Sequence, residues 1–286
     1  MNKKSPEGGT NKKYLWMLFP LAILVSFKLI TDIDPIVPDS ISYMEFNSLR
    51  PPLYPLMVQV FGENIITIQD IFWLATGFII LKKTDHWGLI FYSLTIGLLF
   101  LSQKMLTETV FVFMITLAAV TKKNTSFLIL CLTLLIKPVM ILFIPIAYAF
   151  LRPGIMMTWI GLILIFASAI FAFNTGNYLV SHYDLDYFRT LGTNCIGKTV
   201  GVESLFFQRT TQLQTLCYAM LAVMAAFFYR KNIIYSLPLY LILMSGFAPN
   251  QGDRLVIIVA PICLMFLIDR DLVPSIYCDE LKKQIK

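Results

Sequence analysis

The residues best suited to chemistry lie together in one stretch, Thr31 to Leu56, which reads TDIDPIVPDSISYMEFNSLRPPLYPL. The stretch combines three carboxylates, a Tyr-Met-Glu patch and an Arg-Pro-Pro-Leu-Tyr-Pro run: Asp32, Asp34, Asp39, Tyr43–Glu45 and Arg50–Pro55. A sheltered carboxylate can act as a general base, and a guanidinium can bind a phosphate. The residue types and their order therefore predict a site for proton transfer and anion binding.

Asp39 is the first candidate for the catalytic base. It lies between Pro38 and Ser40, ahead of an amphipathic run at 41–49, so an N-cap of a short helix is the alternative role. The two roles do not exclude each other, and the surrounding motif favours catalysis.

The other polar residues of the stretch are candidates for support. Asp32 and Asp34 compete with Asp39, and solvated loop charge is the alternative for both. Asp34, Tyr43 and Glu45 are predicted to assist the base or bind an acceptor. If a divalent metal binds here, two of the aspartates together with Glu45 are its natural oxygen ligands.

Charged residues elsewhere complete the predicted site. Glu108 begins an apolar span in the run Leu-Thr-Glu-Thr, where a carboxylate interacts favourably with the helix dipole. Arg50, Lys137 and Arg254 lie at external helix ends, where a cation can neutralise a phosphate. Snorkelling to lipid headgroups is the alternative for these cations. Arg254 ranks above Lys137 because Asp253 and the neighbouring Gly252 favour a polar pocket there.

The elements that must position these residues are membrane helices. Of the 286 residues, 57% are hydrophobic and 14% are charged, which is too apolar for a soluble domain. The first apolar run shows no cleavage pattern and is predicted to be a retained helix. The net charge of +6 comes from short clusters between apolar spans, so membrane topology explains it better than nucleic-acid binding.

We predict an all-α polytopic membrane protein with a single membrane domain covering residues 1–286. About ten spans are expected from the length that a helix needs to cross a bilayer. They cover 14–31, 65–81, 86–102, 107–121, 125–136, 138–151, 155–173, 213–229, 233–248 and 254–269. The break at Lys137-Pro138 separates two short spans.

The charge distribution predicts the orientation. With segment 1–13 in the cytoplasm, 15 of the 23 Lys and Arg residues fall on the cytoplasmic side, as the positive-inside rule requires. The two long external loops are then 32–64 and 174–212, and 270–286 is a cytoplasmic tail. Residues 51–62 are too short and proline-rich to span, and we expect a helix in the membrane interface there. The five cysteines and two histidines show no metal-binding spacing.

The order Asp39-Ser40, Tyr43 and Arg50–Pro55 resembles the first external loop of the polyprenyl-phosphate-dependent GT-C glycosyltransferases, which include protein mannosyltransferases and lipid A aminoarabinose transferases. The resemblance is sharp in this loop and diffuse elsewhere. It implies a GT-C-like bundle in which an acidic residue of the loop lies at the active centre. It also implies that Glu108 helps to orient the site and that Lys137 and Arg254 lie near the donor phosphate.

The expected function is that of an inverting glycosyltransferase in the cytoplasmic (inner) membrane of a bacterium, with its active site facing the periplasm or exterior. The partners implied by the resemblance are a polyprenyl-phosphate sugar donor, membrane lipid and a glycan or lipid acceptor of the cell envelope. One alternative is an enzyme like the O-antigen polymerases, although the second loop holds few arginines. The other is a flippase or transporter, which requires polar groups near the midplane of the membrane.

Overall fold

A computed structural model describes residues 13–36, 38–45, 51–174, 205–245 and 256–268 of the chain. All secondary structure in these ranges is helical, which confirms the predicted all-α class. The first helices are α1 (Leu18–Ile30), α2 (Pro38–Met44), α3 (Leu53–Phe61), α4 (Ile65–Lys83), α5 (His86–Ser93), α6 (Ile96–Ser102) and α7 (Glu108–Val120). They are followed by α8 (Lys123–Thr133), α9 (Phe143–Leu151), α10 (Ile155–Asn174), α11 (Leu205–Ala226), α12 (Leu237–Ser245) and α13 (Ala260–Ile268).

The helix boundaries have local causes. Asp85 caps α5, because its Oδ1 accepts hydrogen bonds from the backbone N–H groups of Trp87 at 2.9 Å and Gly88 at 3.2 Å. Gly62 ends α3 with a φ of 52°, a conformation that side chains disfavour. Pro138 disfavours a helical backbone at Lys137, so α8 ends at Thr133 and a short 3₁₀ helix begins at Pro138. The predicted break at Lys137-Pro138 is confirmed.

Helix α13 is the centre of the packing. Its residues from Ala260 to Phe266 are buried, and it packs on α4, α5, α7 and α11. Helix α7 packs on both α4 and α8, so these helices form one continuous apolar core. A glycine allows one close contact in this core, because a Cβ atom at Gly97 would lie 2.5 Å from Cδ1 of Ile257.

Two elements differ from the predicted spans. The span predicted at 86–102 is broken between α5 and α6, where two side chains of α11 form hydrogen bonds. Gln214 donates to the carbonyl of Leu94 at 2.8 Å, and the Tyr218 and Thr95 hydroxyls share a hydrogen bond at 2.7 Å. Helix α11 begins at Leu205, within the segment predicted as the second external loop.

By length and composition, one helical stretch in the described part of the chain qualifies as a membrane span, the 31 residues from Leu53 to Lys83. Gly62 divides this stretch, and α4 alone has 19 residues, or about 28 Å of helix. Shorter apolar helices of 10–17 residues lie elsewhere, for example at Glu108–Val120 and Pro138–Leu151.

Candidate functional site

In the described part of the motif-bearing stretch, two short helices, α2 and α3, pack on each other. Tyr43 of α2 and Tyr54 of α3 are both buried, and their rings meet edge to face with centroids 5.0 Å apart. The Gln59 side chain donates a hydrogen bond to the carbonyl of Met44 at 2.6 Å, which holds the end of α2 on α3. The predicted helix at 51–62 is therefore present, as α3.

Backbone and side-chain hydrogen bonds attach this stretch to the loop between α6 and α7. The Ser40 hydroxyl donates to the carbonyl of Met105 at 3.0 Å, and the Met105 N–H donates to the carbonyl of Pro35 at 2.8 Å. Ser40 is fully buried. The start of α2, where Asp39 lies, is thus fixed beside the loop that leads into Glu108.

A second attachment joins the stretch to the segment that carries Lys137. The N–H of Leu53, at the start of α3, donates to the carbonyl of Leu135 at 3.0 Å. Residues 134–137 follow the end of α8, and Pro138 gives this segment its extended turn. The stretch therefore lies between the loop before α7 and the segment after α8.

The two charged residues carried by those segments form an ion pair. Lys137 Nζ lies 3.1 Å from Oε1 of Glu108, and their side chains are 12% and 1% exposed. Lys137 also lies 6.0 Å from the centroid of the Phe111 ring. Glu108 is the first residue of α7, where the helix dipole also favours a carboxylate. A pair so shielded from water has a strong mutual attraction and a large desolvation cost.

Tyr54 extends this arrangement toward the motif stretch. Its hydroxyl is buried and has no hydrogen-bond partner among the described residues, and Tyr43 and Glu108 are near enough to interact with it electrostatically. A buried hydroxyl without a partner costs free energy unless a ligand or water satisfies it. Tyr54 belongs to the Arg-Pro-Pro-Leu-Tyr-Pro run, in which only Arg50 was predicted to have a role of its own.

A second charged pair lies in the same end of the bundle. Lys28, in the last turn of α1, forms a salt bridge with Asp70 on the second turn of α4. The Gln103 amide donates to the other oxygen of Asp70 at 2.9 Å, and Gln69 donates to the carbonyl of Lys104 at 2.9 Å. We define the polar cluster as Lys28, Asp70, Gln103, Glu108 and Lys137.

Asp70 was not predicted as a site residue, because the apolar run around it was interpreted as an ordinary membrane span. The available signal was an ionisable residue within an apolar helix, which is costly there and is usually paired or functional. Asp70 is 7% exposed, and its partner Lys28 lies 42 positions earlier in the chain. The pair therefore had to be found in three dimensions.

The remaining predicted residues have distinct positions. Asp39 lies in the first turn of α2, but its side chain is outside the described part. Asp34 is exposed, and its Oδ1 accepts a hydrogen bond from the N–H of Ile36 at 2.8 Å, which stabilises a local turn. Asp32 and Glu45 are exposed. Arg50 and Arg254 lie outside the described residues.

The described residues test the metal hypothesis in part. Within them, no three His, Cys, Asp or Glu side chains approach closely enough to hold a metal ion. Asp32, Asp34 and Glu45 therefore do not form the ligand group that we had considered for a divalent cation. A set that includes Asp39 falls outside this finding.

The arrangement combines groups that can bind an anion and groups that can hold a proton. Lys137 supplies a positive charge, Glu108 holds it in place, and Tyr54 offers a hydroxyl beside them. The Asp39 backbone is fixed close by through Ser40.

No protein-family model matches the chain, and no curated protein or solved structure matches it.

Proposed function

We propose that this chain is a membrane-embedded glycosyltransferase that transfers a sugar from a polyprenyl-phosphate donor to a glycan or lipid acceptor of the cell envelope. The proposal extends to a bundle of about ten membrane helices in the bacterial cytoplasmic (inner) membrane, with the site on the outer side. The observation that carries it is the buried Glu108–Lys137 pair beneath the docked motif stretch.

The distribution of polar and apolar surface supports the membrane location. Large apolar side chains are exposed on the outer helices, including Leu29 of α1 at 82% and Ile155 of α10 at 76%. In contrast, Asp70 and Glu108 are buried inside the bundle with polar partners. Apolar exteriors and paired ionisable interiors are characteristic of helices that pack in lipid.

The proposed reaction is a single displacement at the anomeric carbon. Asp39 accepts the proton of the acceptor hydroxyl while the oxygen of that hydroxyl attacks the anomeric carbon. The bond from this carbon to the phosphate oxygen breaks. The lipid phosphate leaves with the electron pair. One in-line displacement inverts the configuration of the sugar.

The ion pair with Glu108 gives Lys137 a different role at the phosphate from that of the arginines. Because Glu108 offsets much of the charge of Lys137, this lysine can donate hydrogen bonds to a phosphate but adds little net positive charge. We assign the main neutralisation of the leaving phosphate to Arg254, with Arg50 as a second cation. Tyr54 is assigned to a hydrogen bond with the donor or acceptor, since its hydroxyl has no protein partner among the described residues.

The test in cells is a chemical comparison of surface glycans and lipids with and without the protein. We expect one sugar substituent to be absent from cells that lack the protein and to return when the wild-type chain is expressed. Unchanged glycans and lipids, despite expression in the membrane fraction of the complemented cells, would contradict the proposal.

The Lys28–Asp70 pair favours one alternative, a transporter or flippase. An ion pair between two apolar helices can bind and release a solute or proton. Its position on the second turn of α4, near the helix end, places it away from the middle of the helix. Substitution Asp70→Asn distinguishes the two functions: a transporter loses solute movement, whereas the transferase retains the chemistry of Asp39.

A further inference from the structure

A cavity lies at the other end of the helices from the polar cluster, between the start of α8, the end of α9 and the turn after α11. It has a volume of about 300 Å³. Its wall includes three cations and three hydroxyl groups: Lys123, Arg230, Lys231, Thr121, Ser126 and Tyr229. Among the described residues no acidic side chain lines it.

The start of α8 carries positive charges where a helix usually favours negative ones. Lys122 and Lys123 lie at its N-terminus, where the helix dipole disfavours cations, and no side chain caps it. The N-terminal N–H groups of a helix favour an anion. Two lysines at this position are consistent with a negatively charged group that offsets both their charge and the dipole.

The opposite wall is built to hold its shape. The Asn232 amide donates to the carbonyl of Ala119 at 3.0 Å, and its Oδ1 accepts from the N–H of Ile234 at 3.0 Å. The Tyr229 ring packs edge to face on Phe150 with centroids 5.4 Å apart. These contacts fix the turn that carries Arg230 and Lys231.

The side chain of Arg230 is oriented by its neighbour. Its Nε donates to the Tyr229 hydroxyl at 3.2 Å, and the guanidinium lies 5.8 Å from the centroid of that ring. That bond uses Nε and leaves the two Nη groups for other partners. Paired guanidinium N–H groups match the geometry of phosphate oxygens.

We propose that this cavity is a binding site for a phosphate group, coordinated by Arg230, Lys231, Lys123 and the N-terminus of α8. The site is separate from the proposed sugar transfer and stands on the geometry of the cavity alone. The phosphate can belong to an anionic lipid headgroup, which basic pockets between membrane helices bind, or to a soluble phosphate compound.

The test uses the full chain, purified in a non-ionic detergent, and measures the affinity of three probes. They are dioctanoyl phosphatidylglycerol, inorganic phosphate and dioctanoylglycerol, which has the same chains without phosphate. The Arg230→Gln/Lys231→Gln variant is compared with Lys82→Gln/Lys83→Gln, a matched pair of exposed lysines at the end of α4 that does not line the cavity.

The proposal expects the phosphate-bearing lipid, inorganic phosphate or both to bind the wild-type chain, and dioctanoylglycerol not to bind. The cavity variant should bind about tenfold more weakly or worse, whereas the α4 variant should match wild type. Binding of the lipid alone identifies a headgroup site, and binding of inorganic phosphate identifies a site for soluble phosphate. The proposal is overturned if neither phosphate probe binds, or if dioctanoylglycerol binds as tightly as the phosphate probes. It is also overturned if the cavity variant and the α4 variant bind the phosphate probes with the same affinity.

Discussion

At the scale of single residues, the candidate site depends on charges that are shielded from water. Glu108 and Lys137 are largely shielded from water, and each supplies an opposite charge to the other. Removing one partner leaves an uncompensated charge, whereas removing both avoids that cost. The pair therefore has a stability signature that distinguishes it from two independent surface charges.

We expect Glu108→Gln and Lys137→Met each to lower the free energy of unfolding by about 3–5 kcal/mol, and the double variant to lose less than the sum. The measurement is chemical unfolding of the purified chain in detergent. Glu45→Gln is the control, because Glu45 is exposed and its loss should change stability by less than about 0.5 kcal/mol. Fully additive losses in the double variant would contradict the ion pair.

Two buried tyrosines form a second comparison at this scale. The Tyr92 hydroxyl donates to the carbonyl of Trp73 at 2.8 Å, whereas the Tyr54 hydroxyl has no partner among the described residues. Tyr92→Phe should lower the free energy of unfolding by about 1 kcal/mol, and Tyr54→Phe should leave it unchanged or higher. If Tyr54 contacts substrate, its variant should still lose sugar transfer, with Tyr92→Phe as the control for activity. A Tyr54→Phe protein as unstable as Tyr92→Phe would indicate a structural hydrogen bond instead.

Asp70 supports a prediction about a network. Asp70→Ala removes the acceptor for both Lys28 and Gln103, and should lower the free energy of unfolding by about 2–3 kcal/mol. Lys28→Gln should cost less, because the Lys28 side chain is 40% exposed and water can replace part of its interaction. Unfolding in detergent measures both variants, and equal losses would contradict this difference.

At the scale of elements, close packing between helices sets the architecture. A Cβ atom at Gly97 of α6 would meet Ile257, which lies just before α13, at 2.5 Å. A methyl group at Gly154 would lie 3.7 Å from Asn124, an ordinary contact. The two glycines therefore differ in how much a side chain would disturb the structure.

We expect Gly97→Ala to lower the free energy of unfolding by about 1–3 kcal/mol through overpacking. Gly154→Ala should change it little. When Ile257→Ala is combined with Gly97→Ala, the total loss should be smaller than the sum of the two single losses, because the shorter side chain makes room for the methyl group. Thermal unfolding midpoints measure the stability of all three variants. A loss in the double variant equal to or larger than the sum of the two single losses would contradict the contact.

Local sequence signals predicted where helices begin and end better than they predicted which residues contact one another. Pro138 disfavours helix at Lys137 in any context, and Glu108 suits a helix N-terminus, so both boundaries were correct. The break after Ser93 was missed because it depends on Tyr218 and Gln214, more than 100 positions away. The pairing of Glu108 with Lys137 also depends on the packing of α7 on α8, which residue spacing does not encode.

At the scale of the whole molecule, the two ends of the bundle carry different chemistry. One end holds the motif stretch and the polar cluster. The other holds basic residues at helix ends, including Lys82 and Lys123. For the membrane protein proposed above, the positive-inside rule predicts that the basic end faces the cytoplasm.

We expect single cysteines to report this orientation in a chain whose five native cysteines are replaced. A membrane-impermeant maleimide should label Asp32→Cys in intact spheroplasts and label Lys82→Cys only after permeabilisation. Both positions are exposed, so access to the reagent depends on the side of the membrane. Labelling of Lys82→Cys in intact spheroplasts would reverse the proposed orientation.

Sugar transfer by the purified chain tests the proposed glycosyltransferase activity and the role of Asp39. The measurement follows a labelled sugar from a polyprenyl-phosphate donor to an envelope acceptor in proteoliposomes, and compares Asp39→Asn with Asp32→Asn, a change of the same kind at an exposed loop position. We predict transfer with inversion by the wild-type and Asp32→Asn chains, and a loss of about 100-fold or more in Asp39→Asn, the contribution typical of a general base. Equal transfer by both variants, or no transfer by the wild-type chain, would contradict the proposal.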